Sequence, residues 1–142
     1  MIPCDRYIEI FYTSCKNKLV VRKDNYTRGL IDLSEKEIIP FGIYSHIGTF
    51  AYDFARTINK EGRGIVDING NIIVPNGLFE EIWDFNERYS TIVVKYNGIR
   101  YAIPFAALQE IQKGSIKNII NFLEYKGYLQ HDYTSPNIIA TF

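Results

Sequence analysis

The chain carries the same phrase twice, 35 residues apart. Gly29-Leu30-Ile31-Asp32-Leu33 returns as Gly64-Ile65-Val66-Asp67-Ile68, and a proline follows each glycine at the same distance, Pro40 and Pro75. Ile39-Pro40 is followed by Tyr44 and Ile47, and Val74-Pro75 by Phe79 and Ile82, again in register. A fixed period of this length means one supersecondary unit copied in tandem, each copy too small to bury its apolar face alone. This constrains the architecture more tightly than residue propensities do, and it names no chemistry.

Three units superpose, starting at Pro3, Pro40 and Pro75, with Tyr7, Tyr44 and Phe79 at equivalent places. Each continues into an apolar run (Leu19-Val20-Val21, then Phe54-Ala55 with Ile58, then Ile92-Val93-Val94), a turn and a glycine-led strand. The third unit drifts, because Tyr101-Ala102-Ile103-Pro104 replaces the glycine-led phrase. The turns predict antiparallel hairpins. Asn69-Gly70 and Asn97-Gly98 each sit between apolar residues, and both residue types tolerate the positive φ of a type I′ turn. Glu61-Gly62 is expected to act similarly, and Pro75-Asn76-Gly77 to form a type II turn. Strands are expected over 6–12, 18–22, 28–33, 37–39, 43–48, 54–58, 64–68, 71–74, 78–83, 90–96 and 99–103.

The period then changes. Phe105, Leu108 and Ile111 are three apart behind Pro104 and before Gly114, which predicts a helix. A second helix is expected after Ser115 as its cap, with Ile116, Ile119, Ile120 and Leu123 on one face and Gly127 as its stop. The expected fold is mainly β, about three tandem antiparallel hairpin repeats with one or two C-terminal helices capping the sheet. A cap answers the exposed edge that any repeat array leaves. The chain is expected to be a single domain over 1–142, with a β repeat region over 3–104, a helical cap over 105–127 and a tail over 128–142.

The 142 residues have a formal net charge of +0, so bulk attraction to nucleic acid or membrane is not expected. The charge is nonetheless uneven: residues 31–90 hold five Lys/Arg and ten Asp/Glu. Cys4 and Cys15 are the only cysteines. With no visible secretory signal and no apolar run long enough to span a bilayer, a cytoplasmic protein with two free thiols is expected.

The repeated residues resemble bacterial WG-repeat proteins, whose unit reads roughly Asn-Gly-Lys-Trp-Gly-Tyr-Ile-Asp, a glycine turn, Val-Ile-Pro, and Tyr-Asp-x-Ile with a Phe. Asn25-Tyr26-Thr27-Arg28-Gly29-Leu30-Ile31-Asp32 fits, as do Gly64-Ile65-Val66-Asp67 with Asn69-Gly70 and Ile73-Val74-Pro75. Tyr44, Ile47 and Phe50, and Phe79, Ile82 and Phe85, match the second half. The resemblance covers about residues 3–104. The signature Trp is replaced, with Arg28, Arg63 and Arg100 at or near its place. The resemblance implies short β-hairpin repeats and usually no catalytic site, and similar proteins occur in toxin–immunity gene clusters.

Catalysis and metal binding find little to use. His46 and His131 are the only histidines, and His46 falls on a repeat surface position. No Cys or His pair has zinc spacing, and the glycines follow hairpin spacing and not that of a phosphate loop. Cys15 has no neighbour that would activate it. Asp32 and Asp67 recur as a pair, and an Asp at a strand end bonds the amides of the turn that follows. Repeated geometry explains them before paired carboxylate chemistry does. No catalytic, cofactor or metal residue is assigned, and an enzyme is not expected.

The acidic, aromatic segment says more. Glu80, Glu81, Trp83, Asp84, Glu87 and Tyr89 lie within ten residues. Ile82 holds the repeat's core position, so Trp83 faces the other way, either as an anchor with a carboxylate collar or packed beneath the C-terminal helices. These six are the candidate partner-binding residues. The expected function is a non-enzymatic protein-binding module, specifically an immunity protein that neutralises a cognate toxin domain such as a nuclease. Only the company such repeats keep supports the immunity step. Two alternatives stand beside it: a small-ligand binder or enzyme with a pocket lined by Tyr101, Phe105 and Tyr125, and a structural segment of a larger repeat assembly.

Overall fold

The computed structural model describes residues 9–13, 17–23 and 27–130. Pro3, Cys4, Tyr7, Cys15, Asn25, Tyr26 and His131 lie outside them. The chain forms two compact units that divide between Asn76 and Gly77. The architecture is mainly β, with three antiparallel sheets, two short helices and, among the described residues, no closed barrel.

In the first unit β1 (Glu9–Tyr12), β2 (Lys18–Lys23), β3 (Thr27–Asp32) and β4 (Glu37–Tyr44) pair in sequence order. A second sheet follows in the same order: β5 (His46–Ile47), β6 (Phe54–Asn59), β7 (Gly62–Asp67) and β8 (Ile72–Phe79), the last running across the division. Both ends of β8 lie 35 residues after those of β4. The apolar runs become strands whose successive side chains alternate between faces. Val20, Leu30, Ile39 and Tyr44 of the first sheet pack with Ile47, Phe50, Ala55, Val66 and Ile68. The other face of the first sheet buries Leu19, Val21 and Ile31 against Ile10 and Phe41. A fully buried Val, Leu, Ile or Phe side chain among these contributes on the order of 1.5–3 kcal/mol.

The expected strands appear, with two merges. Residues 37–39 and the start of 43–48 join in β4, and the corresponding pieces join in β8. Pro75-Asn76-Gly77 is therefore not a type II turn. It lies inside β8, where Gly77 takes a φ of 94°, and Gly42 takes 93° at the equivalent point of β4. The β3–β4 register confirms a bulge, since Arg28 pairs with Tyr44 but Leu30 pairs with Ile39. Extra residues in one strand bend it and free a proline from the ladder.

Turn types also depart from expectation. Asn97 and Gly98 both have positive φ, 51° and 80°, as a type I′ turn requires. At Asn69-Gly70 only Gly70 is left-handed, at 86°, and the Gly70 amide bonds the Asp67 carbonyl at 3.0 Å. The loop is a type I turn closed by a left-handed glycine, held by the Asp67 side chain, which accepts from the Asn69 and Asn71 amides. The β6–β7 turn centres on Lys60-Glu61, one residue earlier than expected, with Asn59 paired to Gly62.

In the second unit β9 (Glu81–Ile82), β10 (Thr91–Tyr96) and β11 (Ile99–Pro104) form a sheet in the order β11-β10-β9. α1 (Phe105–Gln112) follows directly and buries Phe105, Ala107, Leu108 and Ile111. Phe105 meets Phe85 edge-on at 5.2 Å. α2 (Ile119–Tyr125) is capped by Asn118, whose side chain accepts from the Asn121 amide at 3.0 Å. Ser115 is not the cap, because helical backbone begins only at Ile119. Gly114 and Gly127 end their helices with φ of 85° and 81°. No described helix is long and apolar enough to cross a membrane.

Candidate functional site

The candidate segment begins on β9, whose short ladder with β10 pairs Glu81 with Lys95 and Ile82 with Val94. Ile82 is 2% exposed and fixes which way the strand faces. Glu81 and Trp83 then share the opposite face. The Trp83 amide bonds the Val93 carbonyl at 3.0 Å and continues the ladder.

Trp83 is half-buried, with the Arg100 guanidinium 4.8 Å from its ring centre. Lys95 pairs with Arg100 on β11 as well as with Glu81, so one row reads Glu81, Lys95, Arg100. The collar around Trp83 is therefore mixed in charge and not purely acidic. Lys95 and Arg100 lie 12 and 17 residues downstream of Trp83, so local sequence could not place them there.

The remaining carboxylates divide by role. Glu80 is held by the β10–β11 turn: one oxygen accepts from the Gly98 amide at 2.7 Å, and the other lies 4.0 Å from the Lys95 ammonium. Asp84, Glu87 and Tyr89 are exposed on the connection between β9 and β10, Tyr89 by 63%. That connection is ordered by the Asn86 side chain, which accepts from the Tyr89 amide at 3.2 Å. Arg88 lies 5.5 Å from the Tyr89 ring. Of the alternative pocket residues, Tyr101 and Phe105 are buried, whereas Tyr125 is 87% exposed.

The recurring aspartates belong to turns. The Asp32 carboxylate accepts from the Ser34 and Lys36 amides, both at 2.9 Å, and from the Ser34 hydroxyl at 2.7 Å. Asp67 accepts from the Asn69 and Asn71 amides at 2.9 and 2.8 Å and from the Asn71 side chain at 3.0 Å. The Ser34 hydroxyl, followed by the Lys36 amide, holds the Asp32 carboxyl below its ordinary pKa. This is the structural role expected of the pair.

Two of the arginines at the signature-Trp places, Arg28 and Arg100, lie against aromatic rings. Arg28 lies 4.5 Å from the Phe11 ring centre and donates to the Ile47 carbonyl at 3.1 Å, and Arg100 lies over Trp83. A guanidinium stacks on an aromatic face much as an aromatic ring would.

His46 carries more than a surface position would. It is half-buried and pairs with Ile58, which pairs with Arg63. Burial, then the charges of Arg28, Arg56 and Arg63, push its pKa below the ordinary value. The 35-residue spacing of Arg28 and Arg63 was the visible signal that cations recur here.

A family model described as WG containing repeat matches residues 29–62, from Gly29 in β3 to Gly62 at the start of β7. That match supports a WG-repeat protein. No curated protein and no solved structure matches the chain.

Proposed function

We propose that this chain is a non-enzymatic protein-binding module that takes a cationic protein surface on its second unit. The observation that carries the proposal is the exposure of Asp84, Glu87 and Tyr89 on a connection tied at both ends to the ladder. Exposed carboxylates beside an exposed aromatic ring suit a partner rich in Lys and Arg, and they speed encounter with it. Trp83 already accepts one guanidinium on its ring, so a second cation from a partner is chemically compatible with it. The residues most repeated in sequence serve turns and packing, which leaves specificity to positions that differ between copies.

The finer proposal is an immunity protein that covers the cationic substrate groove of a toxin domain such as a nuclease. It rests on the resemblance to WG-repeat proteins and on the acidic middle of the chain. Purification of tagged wild type and of Asp84→Lys/Glu87→Lys from the native host, in parallel, tests both levels. A stoichiometric basic protein recovered with the wild type and depleted with the variant supports the module, and toxicity of that protein alone supports the immunity role. Equal recovery, or no stoichiometric protein, overturns the assignment of this surface.

A further inference from the structure

The third sheet stops one strand short of the other two. β3 and β7 each have a fourth strand on their outer side, β4 and β8, whereas β11 ends its sheet among the described residues. The copies correspond residue by residue. Asp32, Asp67 and Pro104 hold one place, opposite the first residues of β2, β6 and β10. The Asp32 and Asp67 amides open the hairpin into the fourth strand, donating to the Lys36 and Asn71 carbonyls, both at 3.0 Å. Pro104 has no amide hydrogen to donate, and its φ of −71° leads into α1 instead. Backbone groups alternate between the two edges of a strand, so the amides and carbonyls of Arg100 and Ala102 face the side that lacks a strand. Such an edge is a template for strand addition. It lies opposite β9, where the acidic segment begins.

We propose that the outer edge of β11 is a docking site for a strand, and that its occupant is Ile138-Ile139-Ala140 of the same chain. These three residues lie outside the described ones, and their sequence carries the argument. The fourth strands bring Ile38-Ile39-Pro40 and Ile73-Val74-Pro75 to the equivalent edges, and Ile39, Ile73 and Val74 are buried there. Ile138-Ile139-Ala140 repeats that phrase except for its proline. The departure is matched on β11. Gly29 and Gly64 let the residue after the proline, Phe41 or Asn76, cross the third strand, but Tyr101 holds their place. Its side chain closes that crossing, and a short straight strand needs no proline. Ile119-Ile120, the other such pair after β11, is committed to α2. Seven residues separate Gln130 from Ile138. Fully extended they reach roughly 25 Å, the width of a compact unit of this size.

Amide hydrogen exchange of the full chain, followed by NMR at a high and a low protein concentration, tests the docking. The Arg100 and Ala102 amides are expected to exchange at least about tenfold more slowly in wild type than in Ile139→Asp, the effect of one hydrogen bond. Ile139→Ala, a gentler change, should fall between the two. The Tyr101 and Ile103 amides, which face β10, stay slow in both variants and verify that the sheet is intact. Rapid exchange of Arg100 and Ala102 in wild type overturns the proposal. Protection that survives Ile139→Asp also overturns it, since another group then covers the edge. Protection that fades on dilution does the same, because a second copy is then the occupant.

Discussion

The side chain of Asn76 lies directly over Gly64, its Oδ1 2.5 Å from the position a Cβ at Gly64 would take. Passing over that gap, the Asn76 amide nitrogen donates to the Thr57 hydroxyl at 3.2 Å and the Gly62 carbonyl at 3.0 Å. One repeat earlier, Phe41 lies over Gly29 with ring atoms 3.3 Å from the corresponding point. Phe41 crosses at the bulge in β4 and Asn76 crosses beside the left-handed Gly77 in β8, and the missing side chain on the neighbouring strand admits both. The repeat's glycine is therefore a packing requirement, and the residue that crosses it differs between copies.

Gly64→Ala should consequently be costly. The added methyl would also stand 2.7 Å from the Val74 carbonyl, which is backbone and cannot swing away. A loss of about 2–3 kcal/mol in urea unfolding is expected, in the upper range for overpacking. Gly48→Ala is the control, since its nearest neighbour is 3.5 Å away, and it should change stability by less than about 0.5 kcal/mol. Equal effects at the two positions would refute the packing account.

Asp67 is fully buried, and its removal would leave two turn amides without acceptors. Asp67→Ala is expected to cost about 1–3 kcal/mol. Asp67→Asn keeps an acceptor oxygen and should lose clearly less. Asp32→Ala, at an exposed turn, should be milder than Asp67→Ala. The ranking is read from chemical denaturation of the three variants, and an Asp32→Ala loss as large as that of Asp67→Ala would contradict it.

The 35-residue period disclosed the repeating scaffold and nearly every strand, because periodicity is a property of neighbouring residues. Gly29 and Gly64 were visible as markers, but not what crosses them, since Phe41 and Asn76 share no chemistry. The Asn69-Gly70 turn shows a similar limit. Its composition suits type I′, and the Asp67 carboxylate two residues upstream selects another geometry. Around Trp83 the carboxylates are local and legible, whereas Lys95 and Arg100 arrive by strand pairing. His46 looked like a lone surface histidine because its arginines come from three different strands.

His46 gives the stability a pH dependence. Burial and three arginines hold its folded-state pKa below 6.5, so the unfolded chain takes up the proton first on acidification. The contribution of the neutral imidazole is present above about 6.5 and is lost as pH falls below it. Urea midpoints of wild type and His46→Gln, measured from pH 8 to 5.5, should therefore converge or cross at the acid end. A constant difference across that range would remove His46 from the acid response.

Arg28 joins a stacking contact to a hydrogen bond, and the two are separable. Arg28→Lys retains the charge but loses the planar fork, and should forfeit much of both contacts; Arg28→Ala forfeits all. Losses of about 1 and 2 kcal/mol respectively are expected in urea unfolding. A lysine variant as stable as wild type would mean that charge alone matters at this place.

Glu80 is built into the fold, because its carboxylate closes the Asn97-Gly98 turn. Glu80→Ala should destabilise the β10–β11 hairpin by about 1 kcal/mol, and Glu80→Gln by less, since the amide oxygen still accepts from Gly98. Hydrogen exchange of the Gly98 amide checks this directly: it should quicken in Glu80→Ala and change little in Asp84→Lys/Glu87→Lys. Binding to a cationic partner should show the reverse order, with the double variant weaker and less sensitive to salt. If Glu80→Ala weakened association without quickening Gly98 exchange, Glu80 would belong to the interface and its role in the turn would be incidental.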